Sequence, residues 1–439
     1  MISWLPLAIL VGCILLGLAL GVPVAFTLGG AAVIVALLFL GPGGLAFVAI
    51  NTFGAMNTLI LIAMPLFIFM ASLLQESGVA DGLYDSISQW LAPLRGGLSI
   101  GTVLICTVIA AMSGVTTTGV VTMGLIALPP ILKRGYNKSI ILGPIMAGGA
   151  LGILIPPSVS FILFGMFAKL SIGRLFAGGI IPGFILSFFY CSYIGIRCHF
   201  QPHLAPIVPP EERVSLRKKI ALSNGLVLPI LLILGVLGAI FAGIASPTEA
   251  AAVGAAGAIV CAVINRQFSW LALKAAAYRA LVVNGMIMWI IFGAFCFVCV
   301  FVKTGGAELI QGWILGLEVK PAFVVIVMML SYCIMGCFLG EVEQMIITIP
   351  VYLPILVNLG YDPVWFGVLF LINMQMAYLT PPFGMCLFYM KGVVPPEITV
   401  TDLYRSIIPF ISIQMLCLAL VMYFPQLALY LPNVIFGLK

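Results

Sequence analysis

The sequence predicts an all-α polytopic membrane protein made of two inverted repeats, each with five spans and one re-entrant helical hairpin. Three observations predict it: the chain is too apolar for water, two of its apolar runs are broken at mid-length by polar residues, and landmarks of the first half recur in the second at a nearly constant offset. Of 439 residues 63% are hydrophobic and 7% charged, against about 25% charged in a soluble globular protein. So few charges cannot solvate a surface of this size, and the solvent is lipid. A cytosolic enzyme, a nucleic-acid binder and a disordered scaffold are excluded. A transmembrane barrel would instead show short alternating segments.

The net charge of +6 comes from 19 Lys and Arg scattered in ones and twos, so it reports orientation and not a polyanionic partner. Eleven cysteines carry little chemistry. Cys296 and Cys299 form a CxxC, and Cys333 with Cys337 sit one helical turn apart, but both pairs lie in apolar helical stretches where cysteine serves as a small hydrophobe.

A bilayer-spanning helix needs about 20 apolar residues. Runs of that kind fall near 4–21, 23–41, 52–74, 140–168, 178–197, 222–244, 247–264, 281–302, 364–390 and 407–431. Two further runs are interrupted: 98–132 by the polar and glycine-containing stretch Ser113 to Gly119, and 321–358 by Gly340-Glu341-Val342-Glu343-Gln344. Each half is too short to cross, so the expectation is a re-entrant hairpin whose polar tip is sheltered by protein or water near the midplane.

Tyr136 with Pro156-Pro157 recurs as Tyr361 with Pro381-Pro382, an offset of 225. With small shifts Pro23 matches Pro247, Asn57 matches Asn284, Gly78 matches Gly305, Gly114 matches Gly340, and Ile180-Ile181-Pro182 matches Ile407-Ile408-Pro409. The expected units are a first repeat at 1–197, a polar cytoplasmic linker at 198–221 and a second repeat at 222–439. The linker's His199 and His203 read as solvated bystanders. Five spans per repeat is an odd number, so the second copy is inverted.

The positive-inside rule sets the sides. A cytoplasmic linker gathers Arg95, Lys133, Arg134, Lys138, Arg197, Arg213, Arg217, Lys218, Lys219, Arg266, Lys274, Arg279, Lys391 and Arg405 on the inner face. Lys169, Arg174, Lys303, Lys320 and Lys439 remain outside, with both termini. The opening apolar run leads straight into the repeat, so no targeting peptide is expected.

Inverted repeats with helices broken at matching positions point to a secondary transporter with its site at the midplane. Four segments are expected to converge there: the tip Ser113 to Gly119, the break Gly148 to Ser158, the tip Gly340 to Gln344 and the break Asn373 to Pro382. Helix breaks free carbonyls that hydrocarbon cannot satisfy. A mostly neutral, all-oxygen cage suits sodium, and helix N-termini beyond each break suit an anionic substrate.

Glu341 and Glu343 are the carboxylates expected at membrane depth, with cation ligand, proton site and salt bridge all open. Ser246-Pro247-Thr248-Glu249 reads as a capping box with Pro at the first helical position. Asp81 to Trp90 and Glu308 to Trp313 mix charge with interfacial aromatics, as horizontal amphipathic arms do.

Several motifs together carry a resemblance: Met64-Pro65-Leu66-Phe67, Ser113-Gly114 with its threonines, Arg134-Gly135-Tyr136, Ile155-Pro156-Pro157-Ser158, Ser246-Pro247-Thr248-Glu249-Ala250-Ala251-Ala252, Gly360-Tyr361-Asp362-Pro363-Val364-Trp365-Phe366-Gly367 and Leu379-Thr380-Pro381-Pro382-Phe383-Gly384. From about residue 5 to 430 the chain resembles the large membrane subunit of tripartite ATP-independent periplasmic (TRAP) transporters. The resemblance implies sodium-driven import of an organic acid across the bacterial inner membrane by an elevator mechanism. It also implies a small four-helix membrane subunit, supplied here by another polypeptide, and a periplasmic substrate-binding protein.

By that resemblance one sodium lies among Ser113, Gly114, Thr116, Gly152, Leu154 and Pro156, and another among Gly340, Met376, Leu379 and Thr380. Substrate is expected between the tips, near Thr117, Pro157, Ser158, Glu341, Glu343, Asn373 and Pro382. Where relatives often carry serines, the first tip carries Val115-Thr116-Thr117-Thr118, so its carbonyls are firmer ligands than its hydroxyls. A standalone sodium/dicarboxylate symporter is the alternative. An enzyme is not expected, because no His, Asp or Ser/Lys pairing stands at membrane depth; a channel is disfavoured because two hairpins close the path from both sides.

Overall fold

The computed structural model describes residues 4–316, 320–382 and 384–437. Lys439, assigned above to the outer face, and Phe383, in the second break, lie outside the described residues. The described residues form helices and no strand. Six helical stretches are long and apolar enough to cross a membrane; one of them, Thr116–Lys133, is the returning arm of the first interrupted run, which is longer than the half-span expected there. Others assigned as spans are shorter, such as Trp4–Ala19 and Val24–Leu40.

The predicted span at 52–74 is interrupted. A helix Pro42–Met56 ends at Asn57, and Thr58 is extended before Leu59–Ile62 and Ala63–Glu76 resume the rise. Its counterpart in the second half, Trp270–Lys303, is one unbroken helix of 34 residues. The helix predicted to end at 197 runs from Ile172 to Phe200, so His199 belongs to its last turn, and the next long helix already begins at Leu216. The linker is therefore shorter than its composition suggests.

Both interrupted runs form the expected helix pairs. The first is Gly97–Ser113 followed by Thr116–Ile126, and the break is confined to Gly114 and Val115, since Thr116 to Gly119 are already helical. The second pair is Pro321–Met335 and Glu341–Asn358. Its turn lies at 336–340, earlier than predicted, so Glu341 and Glu343 occupy the first turn of the returning helix. The reason is electrostatic: carboxylates are stabilised where the helix presents free N–H groups.

The Pro-Pro breaks fall where expected. Lys138–Ala150 is followed by a tight turn at Leu151–Ile153, and helix resumes at Val159–Ala168. Pro363–Leu379 is followed by Met385–Val393. The second break is narrower than Asn373 to Pro382, because the helix persists to Leu379 and only Thr380 turns extended. That position is set by Pro381, which lacks a donor and disfavours helical geometry in the residue before it.

Ser246 caps Pro247–Ile264 reciprocally with Glu249, as read from the sequence. The first arm is the helix Val79–Leu91, lying along the start of Leu216–Phe241. Ser86 and Ser223 hydroxyls meet at 2.7 Å, and the Lys219 ammonium sits 5.4 Å from the Trp90 ring centre. In the second half the helix Gly306–Leu315 takes the same place in the order, with Gln311 donating to the Pro350 carbonyl at 3.3 Å.

Two ion pairs link helix starts across the halves. Lys138 meets Asp402 at 3.1 Å, joining the starts of Lys138–Ala150 and Val400–Tyr423. Arg174 meets Asp362 at 3.3 Å, joining the starts of Ile172–Phe200 and Pro363–Leu379.

Candidate functional site

The first tip closes directly on the first break. Gly114 sits at φ +61°, and a Cβ there would stand 2.5 Å from the Pro157 carbonyl oxygen, so only glycine allows this approach. From the other side a Cβ on Gly152 would lie 3.0 Å from the carbonyl carbon and oxygen of Val115 and 3.3 Å from the Thr116 nitrogen. The Val159 amide donates to the Gly114 carbonyl at 3.4 Å. Backbone thus faces backbone with no side chain between.

The polar groups at this contact are neutral oxygens. Ser113 Oγ donates to the Val115 carbonyl at 3.4 Å, and Ser158 Oγ donates to the Ile153 carbonyl at 2.6 Å while accepting from the Phe161 amide. Thr116 Oγ1 is buried and has no partner. An orphaned buried hydroxyl costs about 1–3 kcal/mol unless something completes it. Among the described residues no three His, Cys, Asp or Glu side chains converge, and the oxygens here fit a hard monovalent cation such as sodium rather than a transition metal.

The second tip leans on the second break. A Cβ on Gly336 would stand 2.4 Å from the Ala377 Cβ, and Cys337 Sγ lies 3.8 Å from the Pro381 carbonyl. Thr380 Oγ1 donates to the Met376 carbonyl at 2.7 Å, and Gln344 Nε2 donates to the Leu339 carbonyl at 3.0 Å. Here Pro381 and Pro382 are exposed, whereas Pro156 and Pro157 are buried.

The halves meet at Glu341, whose Oε1 accepts from Ser160 Oγ at 2.7 Å. Ser160 stands just beyond the first break and Glu341 at the second tip, so this bond ties the first Pro-Pro break to the second helix pair. Glu343 folds back over the tip: a Cβ on Gly340 would meet its Oε2 at 2.6 Å.

Both tips line one cavity of about 1130 Å³. Ser113, Gly114, Thr116, Thr117 and Thr118 line it from the first tip; Gly340, Glu341 and Glu343 line it from the second, with Tyr378 and Tyr389 beside them. At the far end stand Gln75, Glu76, Asp81 and Arg279. Its lining takes nothing from the described segments 41–58, 169–171, 242–246 or 303–305. Arg279 marks the end of the cavity that charge counting assigns to the cytoplasm.

Other expected site residues fall elsewhere. Leu154, Ser158 and Leu379 are fully buried, Pro157 backs the Gly114 contact, and none of them lines the cavity. Gly152, Pro156, Met376 and Thr380 belong to the breaks behind it, and Pro382 is exposed away from it. Asn373 is fully buried in mid-helix, with Nδ2 donating to the Met329 carbonyl at 2.5 Å.

Sequence reasoning passed over Ser160, Tyr389 and a chain at the cavity mouth. There Arg279 pairs with Glu76 at 2.8 Å and donates to Gln75 at 2.9 Å, and Gln75 in turn donates to Thr122 on the first hairpin. A lone serine in an apolar helix gives no signal of a partner 181 residues away, and none of these contacts has one.

An apolar all-helical chain with two hairpin tips set against two interrupted helices around a one-sided cavity is built as a multi-pass membrane permease, not an enzyme. The chain belongs to the family described as the tripartite ATP-independent periplasmic transporter, DctM component, whose model matches residues 11–427. It is 31% identical over 398 residues to the C4-dicarboxylate TRAP transporter large permease protein DctM of Pseudomonas aeruginosa, covering 90% of this chain and 92% of that one. It is 30% identical over 383 residues to the ectoine/5-hydroxyectoine TRAP transporter large permease protein UehC of Ruegeria pomeroyi, covering 86% and 87%. In fold it is similar to the crystal structure of the YdaH transporter of Alcanivorax borkumensis, with a TM-score of 0.60 at 17% identity over 87% of this chain and 90% of that one.

Proposed function

We propose that this chain is the translocating subunit of a sodium-coupled importer of a small organic acid. It works with a separate small membrane subunit and a periplasmic binding protein, in the inner membrane and with both termini periplasmic. The observation that carries the reading is the bare backbone of Gly114 and Val115 closed on Gly152 and Pro157, with the orphaned Thr116 hydroxyl buried there. In this reading sodium is held by Ser113, Gly114, Thr116, Gly152, Leu154 and Pro156, and a second ion by Gly340, Met376, Leu379 and Thr380. Each ion orders a tip before substrate enters between them. An organic acid as cargo is supported by relatives named for C4-dicarboxylate and ectoine transport.

The inverted-repeat reading, with the units 1–197 and 222–439, is supported by the two ion pairs between helix starts. Charge counting assigns Lys138 to the inner face and Arg174 to the outer face, and their pairs with Asp402 and Asp362 are equivalent contacts in the two proposed repeats. An elevator, in which about 78–175 and 305–405 slide against the remaining helices, is supported by the one-sided cavity. Alternating access needs the tips to face one compartment at a time.

The test is uptake into proteoliposomes holding this chain and the small subunit, with and without a sodium gradient and with and without the binding protein. Uptake that needs both is the expected result. Uptake that ignores sodium overturns the coupling, and uptake that proceeds without the binding protein makes the chain a standalone symporter.

A further inference from the structure

The Glu341 carboxylate is only half satisfied. Oε1 accepts from Ser160, while Oε2 is buried and makes no well-formed hydrogen bond, with the Tyr378 hydroxyl beside it. Glu341 and Glu343 both line the cavity between the tips, and Glu343 is folded onto Gly340.

No cationic side chain offsets them. Among the described residues lining the cavity Arg279 is the single base, and it is engaged at the mouth by Glu76 at 2.8 Å and Gln75 at 2.9 Å. Glu76, Asp81, Glu341 and Glu343 all line the same space. A plain anion moving to the second tip would meet these carboxylates where the dielectric is low and repulsion strong.

The first tip has the opposite character. Thr116 opens the helix Thr116–Ile126, whose first-turn N–H groups have no intrahelical acceptor, and Thr117 and Thr118 line the cavity beside it. The first tip carries no carboxylate, whereas the second carries two. Resting on the organic-acid reading above, we propose that the transported acid is zwitterionic: its carboxylate lies at the first tip and its cationic nitrogen, an ammonium or quaternary group, is received by Glu341 Oε2. The cargo is then an amino-carboxylate and not a plain dicarboxylate.

The test compares matched ligands on the purified full chain in nanodiscs containing sodium. The pairs are 4-aminobutanoate with pentanoate, aspartate with succinate, and glycine betaine with 3,3-dimethylbutanoate. Within each pair the cationic nitrogen is replaced or removed with little change of shape. Binding is read as ligand-dependent thermal stabilisation for the wild type and for Glu341→Gln, which keeps the side-chain volume and a hydrogen bond to Ser160. In at least one pair the nitrogen-bearing member is expected to bind about tenfold more tightly to the wild type, as one charge-assisted contact would give, and Glu341→Gln is expected to erase that preference.

Equal binding within every pair, or a preference that survives Glu341→Gln, overturns the inference while leaving the organic-acid reading in place. No binding by any of the six overturns the inference, and the uptake experiment above decides the organic-acid reading separately. If replacing sodium by choline without ligand destabilises the wild type but not Glu341→Gln, and no pair shows a preference, Oε2 serves an inorganic cation and the inference fails. Should Glu341→Gln fail to fold, Ser160→Ala frees Oε1 without touching the charge and is expected to preserve the preference; loss of it there overturns the inference.

Discussion

Replacing Gly152 by valine strikes the contact on which the proposed ion site rests. The Cβ would lie 3.0 Å from the Val115 carbonyl carbon and oxygen and 3.3 Å from the Thr116 nitrogen. Comfortable non-bonded separations are about 3.5–4.0 Å, so the tip must withdraw by roughly 0.5–1 Å for the Cβ and further for the two methyl groups. The atoms it meets are backbone, with no flexible side chain to rotate away. Overpacking of this kind costs about 1–3 kcal/mol. If that cost falls on the closed tip, the sodium concentration for half-maximal uptake rises about 5- to 150-fold.

The assay is a sodium titration of uptake in proteoliposomes, alongside size-exclusion profiles that report folding. Gly152→Ala gives a smaller shift of the same sign. Gly235→Ala, where a Cβ meets nothing within 4 Å, serves as control and leaves the titration unchanged. Folded Gly152→Val protein with wild-type half-saturation refutes the argument that this backbone contact holds the ion.

Thr380→Ala removes the hydroxyl that donates to the Met376 carbonyl, and is expected to weaken sodium dependence of uptake about tenfold or more while the protein still purifies normally. Ser158→Ala deletes the cap of Val159–Ala168 and the bond to the Ile153 carbonyl; it is expected to cost about 1–2 kcal/mol, seen as a lower Tm, with the KM for substrate unchanged because the side chain does not reach the cavity. Thr122→Val breaks the hydrogen bond to Gln75 that joins the first hairpin to the Arg279 chain. About 1 kcal/mol there shifts the balance between states about fivefold, measured as a changed kcat with sodium half-saturation unaltered; an unchanged kcat counts against the contact holding this state.

Much of the scaffold was legible because lipid writes strong signals. Residues 98–132 and 321–358 are paired helices on either side of a polar break, as runs interrupted at the middle suggest, although Thr116–Lys133 is longer than a half-span. Pro156-Pro157 and Pro381-Pro382 had to interrupt helices, since proline has no N–H to give. The capping box at Ser246 followed from four residues. Boundaries are less legible: in the sequence the charge of Glu341 and Glu343 marks them as part of the polar tip, yet they open a helix because its N-terminus favours them. Thr58 and its break inside 52–74 left no mark that hydropathy registers.

The sequence by itself determined the solvent, the helical class, the existence of the four interruptions and the family, because each depends on composition, local backbone chemistry or residue order. Tertiary structure alone decided that Gly114 faces Pro157, that Ser160 reaches Glu341, that Asn373 turns away from the cavity and that Arg279 is already engaged. Those facts join residues from tens to about two hundred positions apart, and such contacts follow from how helices pack rather than from any property carried along the chain.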